Sequence, residues 1–403
     1  MRFFYWLGHV VSSKVAKIAT VSRMILRNQI SYYPPIVTRF ERSFARMTNT
    51  NHAVAFSNGT SALEAAIFAV GVGEGDEVIA PSYTIHSTFS AALTQGARVR
   101  FADIDPMSLT IDPEQVDALI TERTKTIILV HIWGNPADMD AISAIARHRN
   151  IRVIEDCSHC HGATWNGQQL GSFGDIGVFS LQGAKPVAAG EGGIAVTNSA
   201  ALLDRMLVYG HQGRRVSGTL EDPVESDFFP ATGFGRKCRA HPLGIALAAV
   251  DLRKLEARNR FLQQNWNFVR DAVTTSSVLD LHQPFPKARM AGFFQGAAVR
   301  ITHDGIAPEK VLEILRKSGI IANRNTQAPN HHWPHLYDHG FRTAMRKGES
   351  VPPGQPPILP HTERALTHVI FLPLEQFVRE KRRRALGLAV ERMNAEMDSR
   401  TTE

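Results

Sequence analysis

The stretch Ile151-Arg-Val-Ile-Glu-Asp-Cys-Ser-His-Cys-His-Gly162 decides the fold class. Three of its first four residues are apolar and β-branched, which is typical of a buried strand, and polar groups follow where that strand should end. Similar short runs stand close to stretches with helical spacing. Strands that alternate with helical crossovers predict an α/β fold with a mainly parallel sheet. The other strand-like runs are at 53–56, 77–80, 98–102, 126–130, 177–180 and 193–197.

The chain is predicted to divide into three parts. Residues 1–50 form a basic arm and entry segment, residues 51–255 a large domain, and residues 256–403 a smaller C-terminal domain. A long helical pattern over 243–273 spans the join between the two domains. The predicted elements of the smaller domain are a strand-like segment at 292–302 and helices at 308–317 and 380–397.

Composition limits the classes of function. The 403 residues are 43% hydrophobic and 21% charged, as in ordinary globular proteins. Basic residues exceed acidic ones by 45 − 38 = 7, which suits an anionic substrate such as a nucleotide-linked sugar, or is general surface charge. The basic residues are scattered and not interleaved with aromatic residues, so we expect no nucleic-acid binding. Three cysteines exclude a disulfide scaffold and favour a reducing, cytoplasmic compartment.

Residues 1–28 differ from the rest of the chain. They include five basic residues and no acidic residue, after an apolar beginning, Phe3-Phe-Tyr-Trp-Leu7. One interpretation is a basic amphipathic helix that lies on a membrane surface, and the other is an arm that packs on a partner subunit. A signal peptide fits less well, because no small-residue cleavage site follows. No apolar run approaches the ~20 residues that cross a bilayer.

The first candidate site is a phosphate cradle. Ser57-Asn-Gly-Thr-Ser-Ala62 follows a strand and opens a helix. Glycine lets the backbone approach an anion, and a helix N-terminus offers free amide groups and the positive end of the helix dipole. The same residue types also form ordinary N-caps, so this motif alone is weak.

The second candidate is Asp156, at the C-terminal end of a predicted parallel strand, where α/β folds bind ligands. A carboxylate there could keep a pyridine nitrogen protonated. The adjoining Cys157-Ser-His-Cys-His161 also matches the c-type haem attachment pattern and the Cys-x-x-Cys of zinc and redox sites. Because the chain has no second ligand pair, we favour two buried cysteines that pack a strand-to-helix turn, and we predict no metal.

The third candidate is Lys185, in Phe179-Ser-Leu-Gln-Gly-Ala-Lys-Pro-Val-Ala-Ala-Gly-Glu-Gly-Gly193. One lysine stands between two strands in a loop of small residues. A Schiff-base lysine needs desolvation and room for a cofactor beside it. Ser180 offers a hydroxyl for a phosphate oxygen. The alternative is a glycine-rich turn with an exposed lysine; a Walker loop is excluded by the spacing.

Together these segments resemble the DegT/DnrJ/StrS family of sugar and cyclitol aminotransferases, which use pyridoxal phosphate (PLP) on the type I fold. The resemblance covers about 33–256 well and the C-terminal third loosely. It implies a mainly parallel sheet of seven-stranded type, flanked by helices, and a smaller C-terminal α+β domain. The matching segments are Asn58-Gly-Thr-Ser-Ala-Leu63, Gly75-Asp-Glu-Val-Ile-Ala-Pro81, Glu155 to Gly162, and Phe179-Ser with Lys185 and Gly190-Glu-Gly-Gly193.

The resemblance also implies roles for single residues. Lys185 is the catalytic lysine, which forms the Schiff base and moves a proton between the amino donor and the cofactor. Asp156 pairs with the pyridinium nitrogen. His159 stands where the family has a glutamine near the ring hydroxyl. The residues implied to hold the phosphate are Gly59, Thr60, Ser61 and Ser180.

Other positions depart from the family pattern. Ile85 occupies the place of an aromatic residue that stacks on the cofactor ring, and either Tyr83 or His86 could serve instead. Lys237 and Arg239 correspond to residues that a neighbouring subunit brings to the phosphate, with Arg239 also a candidate substrate contact. Such sharing implies a homodimer. His331 is a candidate substrate contact, with a surface loop as its alternative.

The resemblance therefore implies an aminotransferase that moves an amino group from glutamate or glutamine to a nucleotide-linked keto sugar or a keto cyclitol, in amino-sugar, polysaccharide or antibiotic biosynthesis. A PLP-dependent dehydratase or deoxygenase of the same family is the alternative. Relatives of one dehydrating kind carry histidine in place of the lysine, so Lys185 argues against that kind. A non-catalytic, membrane-associated relative is the third possibility.

Overall fold

A computed structural model of the protein describes residues 2–27, 29–30, 34–211, 236–327 and 329–401, with the backbone alone at 2–10 and 398–401. The strands of its large sheet are β1 (His52–Phe56), β2 (Glu77–Pro81), β3 (Arg98–Ala102), β4 (Thr124–Val130), β5 (Arg152–Asp156), β8 (Ile176–Ser180) and β9 (Gly193–Thr197), with the short β6 (Thr164–Trp165) and β7 (Gln168–Gln169) outside it. The order across this sheet is β1-β9-β8-β5-β4-β2-β3. β3, β2, β4, β5 and β8 run parallel, whereas β9 is antiparallel to both β8 and β1. The predicted α/β class with a mainly parallel sheet is confirmed.

Both faces of the large sheet are buried, which explains the nearly continuous apolar runs in its strands. In β4, Ile127 and Leu129 pack into one core and Ile128 into the core on the opposite face. The first core contains α2 (Pro35–Thr48), α6 (Met139–Arg149) and α8 (Pro242–Leu252), and the second contains α3 (Gly59–Ala69), α4 (Ser87–Thr94) and α7 (Ala200–Gly210). The short helix α5 (Pro113–Leu119) buries Val116 in the first core.

A third core lies in the C-terminal part of the chain. Its four-stranded antiparallel sheet has the order β10 (Leu279–Leu281), β12 (Ala297–Ile301), β14 (Val369–Leu372) and β13 (Asn323–Arg324). Residues of α9 (Leu255–Val273), α10 (Pro308–Lys317) and α14 (Glu380–Thr401) share its apolar core. The predicted domain boundaries remain a prediction. The elements of this part are α9 (Leu255–Val273), β10 (Leu279–Leu281), β11 (Ala288–Arg289), β12 (Ala297–Ile301), α10 (Pro308–Lys317), β13 (Asn323–Arg324), α11 (Pro334–Tyr337), α12 (His339–Lys347), α13 (Pro360–His368), β14 (Val369–Leu372) and α14 (Glu380–Thr401). β11 crosses to the other part of the molecule, where it pairs with β6.

Two predicted elements need correction. The helical pattern over 243–273 is broken at Arg253 and Lys254, because α8 packs into the core of the large sheet and α9 into the C-terminal core. The strand-like segment at 292–302 is a strand only over Ala297–Ile301. Its first residues form a turn in which Gly292 and Gly296 have φ values of 83° and 107°, outside the extended region.

The N-terminal segment forms one helix, α1 (Arg2–Leu26), whose inner face packs on α8. Lys17 Nζ lies 2.7 Å from Asp251 Oδ2, and Met24 is buried. Among the helices that the structure describes, none combines the length and the apolar composition needed to span a membrane.

Candidate active site

A cavity of about 480 Å³ lies at the C-terminal ends of the parallel strands β4, β5 and β8. This is the edge of an α/β sheet at which ligands are bound, and the volume is within the usual range for small-molecule sites. The cavity brings together seven of the predicted site residues: Gly59, Thr60, Ile85, Asp156, His159, Ser180 and Lys185.

Asp156 is the last residue of β5 and its side chain is almost fully buried. Thr88 Oγ1 donates a hydrogen bond to Asp156 Oδ2 at 2.8 Å, and the Ser158 amide donates to Oδ1 at 3.1 Å. A buried carboxylate needs such partners. These two bonds fix the orientation of the carboxylate at the wall of the cavity.

Lys185 lies in the loop between β8 and β9. Its amide donates to the Gln182 carbonyl at 2.8 Å, and the Ala189 amide donates to the Leu181 carbonyl at 2.7 Å, so the loop has a defined shape. Burial lowers the pKa of Lys185 from 10.5 to about 8, although the charge of Asp156 acts in the opposite direction. A lysine amine that loses its proton near neutral pH can act as a nucleophile and as a proton acceptor.

The cradle is formed where α3 begins. Asn58 caps this helix, since its side-chain oxygen accepts the Ser61 amide at 2.7 Å. A Cβ added to Gly59 would stand 3.2 Å from the Cβ of Ser180, so glycine keeps open the gap between the helix N-terminus and the end of β8. Thr60 lines the cavity beside them. Amide groups, the helix dipole and two hydroxyls here suit a phosphate.

His159 belongs to a stack of rings at one side of the cavity. It lies parallel to Phe294 and to Trp133, with centroids 4.4 and 4.9 Å away. Burial, helped by the nearby charge of Lys185, holds the pKa of His159 well below its ordinary value, so the imidazole is neutral. The Trp133 amide donates to its Nδ1 at 3.4 Å, which leaves the proton on Nε2.

Ile85 and His86 both line the cavity, and Ile85 is half exposed. Tyr83 is buried instead, and its hydroxyl accepts a hydrogen bond from Asn325 Nδ2 at 2.8 Å. Of the residues considered for stacking on the cofactor ring, Ile85 and His86 therefore face the cavity, and Tyr83 does not line it.

Four predicted site residues do not line this cavity. Ser61 takes part in the helix cap through its amide. Lys237 is exposed, and Arg239 forms a bridge with Phe56. His331 is fully buried behind the cavity wall, with Nδ1 at 2.8 Å from Ser82 Oγ. Their predicted roles remain predictions.

The cysteine segment forms a buried turn next to His131 and Glu155. Cys157 and Cys160 are both fully buried, as expected, but the turn leads into β6 and not into a helix. His131 and Glu155 approach Cys157 closely enough to suggest a ligand group. However, His131 Nε2 bonds to Glu155 at 3.1 Å, and three backbone amides also donate to that carboxylate. These groups hold the turn together.

The sequence did not reveal several residues of the cavity. Thr88 holds Asp156, but a threonine in a helix gives no signal of this role. Phe294 and Gln295 come from the turn before β12, and Thr326 and Gln327 from the segment after β13. They are distant in sequence from the other site residues, so only the packing of the two parts brings them to the cavity.

A lysine, a buried carboxylate and an anion cradle at the carboxyl edge of a mainly parallel seven-stranded sheet define a PLP-dependent enzyme of fold type I. The chain belongs to the DegT/DnrJ/EryC1/StrS aminotransferase family, whose model matches residues 12–385. Its cofactor is pyridoxal phosphate, and the gap at Gly59, the oriented Asp156 carboxylate and the Lys185 amine fit that group.

Curated relatives match the chain in part. GDP-perosamine synthase of Caulobacter vibrioides is 38% identical over 233 residues, 57% of this chain and 61% of that protein. L-glutamine:2-deoxy-scyllo-inosose aminotransferase of Streptomyces lividus is 37% identical over 229 residues, 56% of this chain and 54% of that protein. The chain therefore matches less than two thirds of the length of either relative.

Solved structures match nearly the whole chain. An aminotransferase from Psychrobacter cryohalolentis has a TM-score of 0.80 at 26% identity, and 3-amino-5-hydroxybenzoic acid synthase has 0.77 at 25%; each match covers 94% of this chain and 96% of that chain. GDP-4-keto-6-deoxy-D-mannose-3-dehydratase of E. coli, with bound hydrated PLP, has a TM-score of 0.76 at 23% identity, covers 92% of this chain and 96% of that chain, and shows the shared fold.

Proposed function

We propose that this chain is an aminotransferase that moves an amino group from glutamate or glutamine to a keto sugar or keto cyclitol. The observation that carries the proposal is that Lys185 and Asp156 line one cavity that is also lined by several side-chain amides and hydroxyls. Amides and hydroxyls suit a polyhydroxylated substrate. These amides and hydroxyls belong to Ser87, Gln182, Gln295, Thr326 and Gln327, and His86 and Glu191 line the same cavity.

The bound cofactor supplies an electron sink that stabilises a carbanion next to the transferred nitrogen. Asp156, held by Thr88, would keep a proton on the ring nitrogen. Lys185 Nζ, whose pKa of about 8 allows it to be neutral, would move a proton from the donor carbon to the cofactor in the first half-reaction and from the cofactor to the acceptor carbon in the second. The cradle at Gly59, Thr60 and Ser180 would hold the phosphate and so fix the ring relative to Lys185.

The test is a half-reaction. Purified protein loaded with PLP is mixed with glutamate or glutamine, the change in cofactor absorbance is followed, and keto sugars and cyclitols are then screened for reversal of that change. We expect Lys185→Ala to slow both half-reactions by at least about 10²–10⁴-fold, as for loss of a general base. Lys347→Ala, at an exposed lysine, is the matched control.

Two outcomes would contradict the aminotransferase. Release of water or ammonia without net transfer of nitrogen would identify the dehydratase alternative. Full binding of PLP without turnover of any donor would identify a non-catalytic relative. Full activity of Lys185→Ala would refute the assigned role of this lysine.

We also propose a homodimer in which Lys237 serves the phosphate of the partner subunit. Its exposed side chain lies outside the cavity of its own chain, which is what such a role requires. If Lys185→Ala and Lys237→Ala proteins are dissociated and mixed, half of the dimers are mixed, and one of the two sites in each is intact. Activity should then return to about a quarter of the wild-type value. No recovery would refute the sharing.

For α1 we propose contact with an anionic membrane surface by a cytoplasmic protein. Its outer face carries exposed aliphatic side chains, with Val15 at 60% and Ile18 at 67% exposure. By helical geometry, Lys14 and Arg23 flank that face, and residues 2–27 contain no acidic residue. Antiparallel pairing of two α1 helices would bring like charges together, which disfavours a second copy as the occupant. The other exposed aliphatic residues are Val11, Ile25 and Leu26.

Co-sedimentation with vesicles of phosphatidylglycerol and phosphatidylcholine tests this proposal. The variant Val15→Ser/Ile18→Ser should lose binding, whereas Ile321→Ser, at a 52% exposed isoleucine elsewhere, should not. Equal partitioning of all three proteins would refute membrane contact. If the double variant instead dissociates the dimer in solution, the face contacts a second copy.

A further inference from the structure

The turn Ala291-Gly-Phe-Phe-Gln-Gly296 reaches the cavity from the C-terminal part of the chain. Four of its residues have positive φ, including the non-glycine residues Phe293 (47°) and Gln295 (64°). Such conformations are unfavourable for residues with side chains and persist only where the surroundings determine them, often at functional sites. The surrounding residues must therefore hold this turn in place, and its strained conformation suggests a functional role.

Two of the anchors are side chains of α9, and the third is the backbone at His159. The Gly292 amide donates to Asn259 Oδ1 at 3.1 Å, and Arg258 Nη1 donates to the Gly292 carbonyl at 3.0 Å. A Cβ on Gly292 would stand 2.4 Å from the carbonyl oxygen of His159, so the two backbones are in direct contact. The turn is fixed against the segment that follows Asp156.

Of the two residues of this turn that line the cavity, Phe294 and Gln295, Phe294 is the one whose ring lies over Lys185 Nζ. Its ring centroid lies 3.5 Å from Lys185 Nζ, and its ring stacks on His159 with an interplanar angle of 28°. The ring thus covers the lysine on the side of the C-terminal part. A ring packed only to fill the core would not need contact with the amine.

We propose that Phe294 is a positioning residue for Lys185: its ring holds the amine within reach of Asp156 and keeps water away from Nζ. The proposal rests on the proposed function in one respect only, namely that the Lys185 amine moves a proton in the transfer reaction. It assigns a role in the reaction to a residue of the C-terminal part, so correct packing of the two parts becomes a condition for activity.

Two physical effects of the ring on Lys185 have opposite signs. Burial disfavours the ammonium and is the main cause of its lowered pKa. The π face attracts the ammonium and favours it. Phe294→Ala removes both, but the entry of water dominates, so the pKa should rise towards 10.5. Phe294→Leu keeps most of the burial without the π face, so the pKa should stay near 8 or fall.

The experiment measures the ionisation of Lys185 directly. Full-length protein freed of PLP is labelled with limiting acetic anhydride between pH 6 and 11, and mass spectrometry compares the Lys185 peptide with that of exposed Lys347. Each rate is expressed relative to the plateau that the same protein reaches at high pH, which removes the effect of easier access to Nζ. On this scale we expect Phe294→Ala to label about fivefold more slowly than wild type at pH 8, since a rise of one pKa unit lowers the neutral fraction from about one half to about one tenth. Phe285→Ala, which removes a half-buried ring that packs on Trp165, is the control.

The readout separates this proposal from the proposed function, because it requires neither cofactor nor substrate. An unchanged labelling midpoint in a folded Phe294→Ala protein would overturn the positioning role, even if the enzyme transaminates. If Phe294→Ala does not fold, Phe294→Leu decides: a midpoint well above that of wild type would overturn the argument. A shifted midpoint in a protein that transfers no amino group would leave the positioning intact and refute the aminotransferase.

Discussion

Glu155 offers a sharp test of how the site is supported, because its buried carboxylate accepts four hydrogen bonds. Oε1 accepts the amides of Phe173 and Gly174 at 2.8 and 2.7 Å, and Oε2 accepts the Gly171 amide at 2.8 Å and His131 Nε2 at 3.1 Å. This residue ties the end of β5, next to Asp156, to the turn that leads into β8. Glu155→Gln keeps the shape of the side chain and removes one acceptor oxygen.

The amide of glutamine cannot satisfy these four donors. His131 Nδ1 accepts the Ala137 amide at 3.0 Å, so the ring proton must be on Nε2, and that nitrogen cannot become an acceptor. In either orientation of the new amide, its NH₂ group faces two N–H donors. Two donors are then left without a partner: the part-buried amides of Phe173 and Gly174 in one orientation, or the buried Gly171 amide and His131 Nε2 in the other.

Each buried donor without a partner costs about 1–3 kcal/mol, so the free energy of unfolding should fall by about 2–6 kcal/mol. The assay is urea unfolding of the PLP-free protein, followed by tryptophan fluorescence. Glu363→Gln is the control, since Glu363 is half exposed and its contacts with His331 and His332 should contribute less than about 1 kcal/mol. A loss below about 1 kcal/mol for Glu155→Gln would refute the assigned tautomer and the reasoning that follows from it.

Three further predictions concern stability and the contact between the two parts. Gly292→Ala should reduce PLP affinity and also lower the free energy of unfolding by about 2 kcal/mol or more. The reason is that the new Cβ would stand 2.4 Å from the His159 carbonyl oxygen, at a residue whose φ is 83°. PLP titration and equilibrium unfolding measure the two effects. His282 is buried, and burial lowers its pKa to about 4. Between pH 6.5 and 4 the unfolded state therefore binds a proton that the native state does not, so stability is lost as the pH falls through this range. His282→Asn should flatten this part of the plot of unfolding free energy against pH. Asn325→Ala removes the hydrogen bond to the Tyr83 hydroxyl and should destabilise the protein by about 1 kcal/mol in thermal unfolding, with Asn323→Ala, at an exposed residue, as its control.

Much of the large sheet was predictable from the sequence. The strands β3 and β9 and the helix α10 have the predicted bounds, and the other strands of the large sheet differ by one or two residues. The last helix, α14, extends four residues beyond its predicted end. Local patterns suffice there because both faces of the sheet are buried, so every strand is an apolar run bounded by turn residues. The prediction of one long helix over 243–273 was wrong. The first half of this segment packs into the core of the large sheet and the second half into the C-terminal core, and the helical period of apolar residues is the same in both halves.

Some residues of the site were predictable from the sequence and others were not. Asp156, Lys185 and the Gly59 cradle were predicted because each follows or precedes a strand of the parallel sheet, and the carboxyl ends of such strands meet at one edge. Thr88 was not predicted, because its hydrogen bond to Asp156 joins residues 68 positions apart. The burial of His331 was not predicted either, since a His-rich segment has the composition of a surface loop.

The sequence by itself determined the class of fold, the cofactor and the two residues at the centre of the proposed chemistry, because periodicity and ordered motifs are local properties of the chain. Only the tertiary structure decided what surrounds Lys185. Phe294, which lies 109 residues from Lys185 in the sequence, contacts that lysine from a turn with positive φ values that its own residues do not favour. Those angles are held by contacts with Asn259 of α9 and with the backbone of His159, and the contact with His159 exists only when the two parts have packed together.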